Sequence, residues 1–427
     1  MSLPVVGYAG LTHLGLNSAA AAAARGFEVI GFHLDEQIVE RLNNDEFHVL
    51  EPELPEYVKR HRSNLTFTSN AARLAECDVV YVAVDVPTDD NGESDLTPIH
   101  EMIGIANTAM RTDAILVILC QVPPGFTRTL NRPAETLYYQ VETLIFGRAI
   151  ERAMFPERYI VGCDDPKQPI AKPLLDFLKA FECPVLPMRL ESAELAKISI
   201  NMCLVASVSV ANTMAEICEN VGADWSEIVP SLRLDKRIGQ FSYINPGLGI
   251  SGGNLERDLA TVLSLAKTHD TDGGVVSSWI ANSAHRKNWA YKKLKAQVLD
   301  QDPNAQIAVL GLAYKENTYS TKNSPSLALL DNLHNHNVSV FDPVVSGAEA
   351  DGPFTQSASA EDAIWNADVL LIMTPWLEFG NLKPKEIAEQ MRGNVVIDPY
   401  RMLDSDAVIA AGLNYNTLGM PPISASV

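Results

Sequence analysis

Residues 5–36, VVGYAGLTHLGLNSAAAAAARGFEVIGFHLDE, join a β-branched run, a glycine-rich turn, an alanine-rich stretch and a second β-branched run. This order is typical of a strand, a turn and a helix that lead into a second, parallel strand. Two registers of the turn are possible, Gly7-Tyr8-Ala9-Gly10 and Gly10-Leu11-Thr12-His13-Leu14-Gly15. We favour the second, because it places Gly10 after the strand and Gly15 at the start of the helix. The stretch therefore predicts the opening unit of a doubly wound α/β sheet.

The favoured register is a variant of the glycine fingerprint that binds dinucleotides. In that fingerprint, glycines allow a tight turn, a close approach of the diphosphate and close packing of helix on strand. Thr12 occupies the second glycine position, and we expect its branched side chain to crowd the diphosphate. A domain that has lost or altered its cofactor is the alternative interpretation. The predicted cofactor contacts in this turn are Gly10, Thr12, His13, Leu14 and Gly15.

The end of the second strand departs from the fingerprint as well. His33 stands where an aspartate or glutamate usually holds the ribose hydroxyls. Asp35 lies two residues further on and would point to the same side if the strand continues. His33 removes the negative charge that would repel a 2′-phosphate, but no arginine is visibly placed to bind one. We therefore expect His33 and Asp35 at the ribose of NAD, with NADP not excluded.

Apolar runs along the rest of the chain predict two α/β domains. Residues 191–221 contain neither proline nor glycine and predict one long helix. The sequence therefore predicts two Rossmann-like doubly wound domains joined by a long central helix, with domains at 1–190, 191–300 and 301–427. Predicted strands are 4–9, 28–33, 78–84, 114–120, 159–162, 306–310, 338–341, 368–373 and 394–397, and predicted helices also include 35–44, 99–111, 256–267 and 278–298.

Composition excludes several classes of function. The 427 residues carry a formal net charge of −20, which argues against nucleic acid and acidic membranes as partners. No stretch approaches about 18 apolar residues, so we expect no membrane-spanning helix, and the first residues do not resemble a signal peptide. Six cysteines without metal-like spacing indicate reduced thiols, a cytoplasmic location and no metal site.

Several motifs, taken together, carry a family resemblance. The chain resembles the UDP-glucose/GDP-mannose dehydrogenase family over essentially its full length. The resemblance implies an NAD-binding N-terminal domain, a central helix that forms a homodimer, and a C-terminal domain that holds the nucleotide of a UDP- or GDP-linked sugar. The matching stretches include VPT at 86–88, VPPGFT at 122–127, FPERYIVG at 155–162, ELAKISIN at 194–201, NPGLGISGG at 245–253, GLAYKENT at 311–318, FDPVV at 341–345 and TPW at 374–376.

The family's catalytic cysteine is replaced in this chain. Members usually oxidise a sugar alcohol twice, and the second oxidation passes through a thiohemiacetal and a thioester on that cysteine. The corresponding position here is Asn254, whose amide is not a usable nucleophile. We therefore expect the acid-forming half of the reaction to be absent.

Other departures fall on the same half of the reaction. The family's Ser-Thr before VPPG is Cys120-Gln121, and the second of two family glutamates is Phe146, although the first is retained as Glu142. The lysine that follows the family cysteine is Arg257. Further departures are Tyr319-Ser320 in place of aspartates and Lys322 in place of an arginine.

The alcohol-oxidising residues are retained. Lys197 and Asn201 lie four residues apart and share one helix face. By the resemblance, Lys197 stabilises an alkoxide or serves as a base, Asn201 donates a hydrogen bond, and Asp258 acts as general base through water. An ordinary exposed lysine and a carboxylate at a helix N-terminus are the structural alternatives for Lys197 and Asp258. Asn254 either donates to a substrate hydroxyl or only fills space.

The resemblance also assigns binding residues. Glu142 joins Lys197, Asn201, Asp258 and Asn254 as a catalytic candidate, although its family role serves the missing step. Further predicted cofactor contacts are Val86, Pro87 and Gln121, and predicted substrate contacts are Arg237, Tyr243, Asn245, Gly249, Gly252, Lys315 and Lys322.

Three functions remain open from the sequence. The first is a nucleotide-sugar dehydrogenase that stops after two electrons and yields an aldehyde or a ketone. The second is an epimerase in which bound NAD takes up the hydride and returns it. The third is a non-catalytic sugar-nucleotide binder, which the altered Thr12 and His33 would favour and the retained catalytic residues oppose.

Overall fold

The computed structural model describes residues 3–87, 89 and 94–425. It divides into two compact units whose boundary in the sequence lies between Ile200 and Asn201. Each unit contains one sheet, as the sequence predicts. The three-domain division at residues 190 and 300 stays a prediction.

The first unit is built on an eight-stranded sheet in the order β3-β2-β1-β4-β5-β6-β7-β8. All neighbouring strands pair in parallel except β6 and β7, which are antiparallel. The strands are β1 (Val6–Ala9), β2 (Val29–Phe32), β3 (Leu65–Thr68), β4 (Val79–Val82), β5 (Ile115–Ile118), β6 (Leu137–Gln140), β7 (Tyr159–Cys163) and β8 (Val185–Arg189). The sequence predicted five of these strands and missed β3, β6 and β8. The missed β8 is an edge strand that contains Pro187 and is largely exposed, so it lacks the apolar run that marks a buried strand.

Helices cover this sheet and bury its central strands completely. Residues Ala19–Ala23 of the first helix are all buried, because small side chains let a helix approach a parallel sheet closely. The helices are α1 (His13–Ala24), α2 (Glu36–Asn43), α3 (Leu54–Arg60), α4 (Thr97–Ala109), α5 (Ala149–Met154) and α6 (Lys172–Lys179).

The long predicted helix is present as α7 (Leu190–Val221), which begins in the first unit and continues in the second. By length and composition alone it is long and apolar enough to cross a membrane. The expectation of no membrane-spanning helix stays a prediction. A single helix like α7 is weak evidence for a membrane, because core helices meet the same criteria of length and composition. The buried polar residues Glu194, Asn201, Asn212 and Glu219 of α7 make it resemble a core helix.

The second unit contains a six-stranded parallel sheet in the order β11-β10-β9-β12-β13-β14. This order and that of the first six strands of the first unit both follow the Rossmann pattern, with the first strand of each unit between the second and the fourth. Its strands are β9 (Gln306–Leu310), β10 (Asn337–Phe341), β11 (Thr355–Gln356), β12 (Val369–Ile372), β13 (Val395–Ile397) and β14 (Asn414–Asn416). The predicted fold class is therefore confirmed.

The helices of the second unit follow the prediction with one correction. The predicted helix over 278–298 is divided at Asn288 into two α-helices, and a π turn at Lys295–Leu299 follows. The helices after α7 are α8 (Trp225–Leu234), α9 (Asn254–Thr268), α10 (Gly274–Lys287), α11 (Trp289–Leu294), α12 (Pro325–Asp331), α13 (Ala360–Ile364), α14 (Pro384–Gln390) and α15 (Ser405–Ala410).

Candidate active site

The glycine-rich turn after β1 has the geometry of the favoured register. Gly10 has a φ of +106°, which favours glycine. A Cβ atom on Gly15 would lie only 1.8 Å from the carbonyl oxygen of Gly10. The first glycine thus makes the turn, and the last lets α1 pack against it, as the fingerprint requires.

The N-terminus of α1 suits an anionic ligand. The Thr12 side chain does not cap this helix, because its Oγ1 donates to the Ala83 carbonyl oxygen at 3.1 Å. The first turn of α1 contains no acidic residue. Since the first N–H groups of a helix have no partner within the helix, this end of α1 fits the diphosphate of a dinucleotide.

Thr12 offers a test of the crowding that the sequence predicts. A Thr12→Ser substitution removes the methyl group and keeps the hydroxyl that donates to Ala83. We expect this variant to bind NAD roughly fivefold more tightly, since relief of one crowded methyl group amounts to about 1 kcal/mol. Isothermal titration calorimetry measures the change, with Thr12→Gly as a companion variant that also loses the hydroxyl. Unchanged affinity in both variants would show that threonine does not obstruct the diphosphate.

The sequence argument for Asp35 was wrong in its geometry. Strand β2 ends at Phe32, so the alternation of a strand does not extend to Asp35. Asp35 instead caps α2, where its Oδ1 accepts from the N–H groups of Gln37 and Ile38. His33 accepts a hydrogen bond through Nδ1 from the Asp35 N–H at 3.0 Å. A contact of Asp35 with ribose stays a prediction and lacks the support of strand alternation.

Glu51 holds several segments together at the glycine-rich turn after β1 (the cofactor turn), and no sequence motif predicts this role. Its buried carboxylate lies 2.8 Å from His13 Nε2 and accepts from the N–H groups of Gly147 at 3.0 Å and Ala149 at 2.7 Å. Burial alone would raise the pKa of Glu51, but these hydrogen bonds outweigh burial and hold the pKa below its usual value. The Phe146 ring packs on His13 with 4.1 Å between ring centroids. Glu51 therefore ties the cofactor turn to the loop after Glu142.

Residues after β4 and β5 border the same carboxyl edge of the sheet. Val86 and Pro87 follow β4, whereas Thr88 of the VPT motif lies outside the described residues. Cys120, before the predicted cofactor contact Gln121, is buried and donates from Sγ to the Val82 carbonyl oxygen at 3.2 Å. Burial raises the pKa of Cys120 to about 12, so this thiol stays protonated at neutral pH.

Lys197 forms an ion pair with Glu142 within the first unit. The Nζ atom lies 3.3 Å from Glu142 Oε2, and the two side chains are only 13% and 19% exposed. One turn earlier on α7, Glu194 accepts from the N–H groups of Gly125 and Thr127 and so anchors the VPPGFT loop. The alternative that Lys197 is an ordinary exposed lysine is therefore wrong.

Asn201 and Asp258 form the corresponding pair in the second unit. Asn201 Nδ2 donates to Asp258 Oδ2 at 2.5 Å, and the Asp258 side chain is 1% exposed. The Arg257 Nε atom lies 3.7 Å from the other carboxylate oxygen. Asp258 is the fifth residue of α9, beyond the first turn, where the helix dipole acts most strongly. Asn201 and Arg257 therefore compensate the desolvation of the Asp258 carboxylate more than the N-terminus of α9 does.

The glycine-rich loop before α9 meets the loop after β9. Gly249 and Gly252 adopt positive φ values of +84° and +77°, and the Gly252 N–H donates to the Lys322 carbonyl oxygen at 3.0 Å. A Cβ atom on Gly252 would lie 3.1 Å from the ring of Tyr314, and Lys315 Nζ lies 5.8 Å from the same ring centroid. Gly249, Gly252, Lys315 and Lys322 thus belong to connected loops.

Other predicted substrate residues lie on an exposed segment after α8. Arg237 is 89% exposed and pairs with Asp235, with 2.6 Å between Nη2 and Oδ2. Tyr243 is exposed, and Asn245 accepts from Arg233 at 3.3 Å. Their contacts with substrate stay predictions. Within the described ranges, no group of three or more His, Cys, Asp or Glu residues is placed to hold a metal ion.

Comparison with protein-family models identifies the family of this chain. Three models of the UDP-glucose/GDP-mannose dehydrogenase family match the chain: the NAD binding domain at residues 4–174, the central domain at 191–284 and the UDP binding domain at 308–405. The chain belongs to the UDP-glucose/GDP-mannose dehydrogenase family. It is therefore an NAD-dependent oxidoreductase that acts on a CH–OH group of a nucleotide sugar.

Curated relatives and solved structures agree with this membership. The chain is 28% identical to the UDP-glucose 6-dehydrogenase of Rickettsia typhi, over 96% of this chain and 98% of the relative. It is 27% identical to the UDP-glucose 6-dehydrogenase TuaD of Bacillus subtilis, over 97% and 93%. A UDP-glucose dehydrogenase structure from Pyrobaculum islandicum superposes with a TM-score of 0.84 at 25% identity, covering 98% of each chain.

The residue predicted to stand at the position of the family cysteine is exposed. Asn254 is the first residue of α9 and follows Gly252-Gly253. Among the six cysteines, Cys203 and Cys218 are those of the second unit. Cys203 lies two residues after Asn201 on α7, about 200° around the helix, so it faces away from the side that reaches Asp258. Cys218 is buried and burial raises its pKa. Neither Cys203 nor Cys218 is placed beside Asn254 by any of these features.

Proposed function

We propose that this dehydrogenase removes two electrons from an alcohol of a nucleotide sugar and releases the carbonyl product without forming an acid. The observation that carries the proposal is Asn254 at the family's cysteine position, because covalent capture of an aldehyde needs a thiolate. A ketone from a secondary alcohol suits this site better than an aldehyde, since a ketone needs no second oxidation.

The retained residues divide the work of one oxidation. The alcohol loses its carbinol hydrogen as a hydride and its hydroxyl hydrogen as a proton, and a C=O bond forms. Bound NAD supplies the hydride acceptor. Lys197, whose ammonium is held by Glu142, stabilises negative charge on the sugar oxygen, and Asp258 takes the proton through water. Asn201 holds the Asp258 carboxylate in place.

Mass spectrometry of reaction products tests the proposal. The protein is incubated with NAD or NADP and a panel of UDP-, GDP- and TDP-sugars. Loss of two hydrogens, with one reduced nicotinamide formed per sugar, is the expected result. A gain of one oxygen with loss of two hydrogens means that acid forms and overturns the proposal. Unchanged mass with altered retention time identifies an epimerase instead, and no change with any sugar favours a binding protein.

An Asn254→Cys substitution restores the thiol alone. We expect the variant to release no more than a trace of carboxylate, because Phe146 and Gln121 still replace residues that serve thioester formation and hydrolysis in the family. Product mass spectrometry measures it, with Asn254→Ser as the matched control without a thiol. Substantial acid from Asn254→Cys would contradict this account of the departures.

We further propose that the protein forms a homodimer through α7. Val210, Met214, Ile217 and Val221 are exposed at intervals of three or four residues, so they share one apolar face of the helix. A Val210→Glu, Ile217→Glu double variant is expected to sediment as a monomer when the native protein is a dimer. The control is Trp365→Glu, which changes an exposed aromatic residue elsewhere. A native monomer at all concentrations would overturn the proposal.

A cytoplasmic location is also proposed. All six cysteines are free thiols, and three of the four in the first unit are buried. Chains of this kind are typical of a reducing compartment. Fractionation of cells that produce the protein tests this, with recovery outside the cytoplasm as the contrary outcome.

A further inference from the structure

Two histidines and an arginine lie near one another beyond the end of β2 in the first unit. The rings of His33 and His48 are 6.4 Å apart between centroids. His48 Nε2 lies 2.9 Å from the carbonyl oxygen of Leu11, within the glycine-rich turn. The Arg41 guanidinium of α2 is close enough to His48 for its charge to lower the pKa of that imidazole. Three separate segments thus bring basic side chains to the place where the fold holds the adenosine ribose.

The acidic groups around these side chains are already engaged. Asp35 Oδ1 accepts from two N–H groups of α2. Glu46 is the partner of Arg41, with 3.5 Å between Nε and Oε2, and both side chains are at least half exposed, so this pair is weak. Asp85, beyond β4, lies near Thr12 and His48, and burial raises the pKa of its carboxyl. The usual ribose-binding carboxylate at position 33 is absent, and that carboxylate is what repels a 2′-phosphate.

We propose that His33, His48 and Arg41 form a subsite for the 2′-phosphate of NADP(H), so that the protein binds phosphorylated and unphosphorylated dinucleotides with comparable affinity. His33 directly follows β2 and His48 lies in the segment after α2. His48 Nε2 is engaged with the Leu11 carbonyl oxygen, so His48 acts through its charge, and Arg41 adds a permanent charge. The proposal concerns cofactor binding alone and does not depend on the number of electrons that the enzyme removes.

Proton binding should accompany binding of the phosphate. Burial is the largest cause that lowers the pKa of His33, the charge of His48 lowers it further, and Asp35 opposes the shift. Burial is also the largest cause that lowers the pKa of His48, where Arg41 adds to the shift and Asp85 opposes it. Both imidazoles are therefore largely neutral at neutral pH when no ligand is present. His33 Nδ1 already accepts from the Asp35 N–H, so His48 is the ring that takes up a proton when a 2′-phosphate binds. The NADPH affinity should therefore rise relative to NADH as the pH falls from about 8 to about 6.5.

Binding measurements on the full chain test the proposal without turnover. NADH and NADPH are titrated by calorimetry in the absence of sugar nucleotide. We expect dissociation constants within about tenfold of each other at pH about 6.5. His33→Asp should weaken NADPH about hundredfold, since a carboxylate then faces the phosphate, and should not weaken NADH. His48→Gln keeps a donor for Leu11 and should weaken NADPH less, about tenfold.

The control and the contrary outcomes are distinct. His269→Asp makes the same change of charge at an exposed histidine of the second unit and should leave both affinities unchanged. A native preference for NADH above about hundredfold at this pH, or an unchanged NADPH-to-NADH ratio in His33→Asp, would overturn the subsite. Binding of neither dinucleotide would overturn the subsite together with the dinucleotide site. Carbonyl formation with NAD alone would leave the proposed function standing even if the subsite fails.

Discussion

Replacing Lys197 with methionine is expected to lower kcat about a thousandfold while NAD binding stays within about threefold of native. The ammonium is the positive charge that α7 contributes to the proposed chemistry, and it is only 13% exposed. In a partly buried position a charge acts through a lower effective dielectric than in water, so its removal has a large effect on a developing alkoxide. Methionine keeps a similar length and removes the charge together with the hydrogen bond to Glu142. Single-turnover formation of reduced nicotinamide is the measurement.

The matched control is Lys172→Met. Lys172 is exposed on α6, where it forms an i,i+4 pair with Asp176, so its loss should change stability by less than about 1 kcal/mol and leave kcat unchanged. Glu142→Gln provides a second comparison, because Glu142 holds Lys197 but does not itself bear the positive charge. We expect it to lower kcat less than Lys197→Met does. Native kcat in Lys197→Met would remove this residue from the mechanism.

A Gly15→Ala substitution is expected to weaken NAD binding by at least about hundredfold. The added Cβ atom would sit 1.8 Å from the Gly10 carbonyl oxygen, a backbone atom that cannot rotate away. Either α1 must move away from β1 or the turn must open, and both displace the N–H groups that face the diphosphate. Calorimetry with NAD measures the loss. Binding of UDP to the C-terminal domain reports whether the second unit remains folded.

Gly104→Ala is the matched control for this substitution. Gly104 lies in the middle of α4, and a Cβ atom there would meet nothing within 4 Å. Alanine at an exposed helix position should raise the free energy of unfolding by about 0.5–1 kcal/mol and leave NAD binding unchanged. The two variants share their chemistry and differ only in surroundings. Equal NAD affinity in both would show that the turn does not hold the dinucleotide as proposed.

Structural features that depend on residues close together in the chain were predictable from the sequence. The turn from Gly10 to Gly15 was placed correctly because its constraints act between residues close in the chain: one glycine with positive φ and one packed against it. The same is true of α7, whose uninterrupted apolar sequence determines a helix on its own. The prediction that Asn254 replaces the family cysteine likewise needed no structure, because it rests on the order of the motifs.

The cofactor turn also shows what only the tertiary structure decided. Glu51 contacts His13, which is 38 residues away in the sequence, and the N–H groups of Gly147 and Ala149, which are nearly a hundred residues away. No periodic sequence pattern predicts such long-range contacts. The sequence argument treated Asp35 as a continuation of β2. In the structure Asp35 instead caps α2, because its side chain accepts hydrogen bonds from the first turn of that helix.

The pairs formed by the predicted catalytic residues were also partly predictable and partly not. Sequence spacing placed Lys197 and Asn201 on one face of α7, since the helical repeat acts between neighbours. It did not reveal that Glu142 neutralises Lys197, or that Asn201 donates to the buried Asp258. Those partners come from other elements, and their burial depends on packing of the whole unit. Local backbone preferences determined the elements of this protein, whereas long-range packing decided which charges are buried and which groups stabilise them.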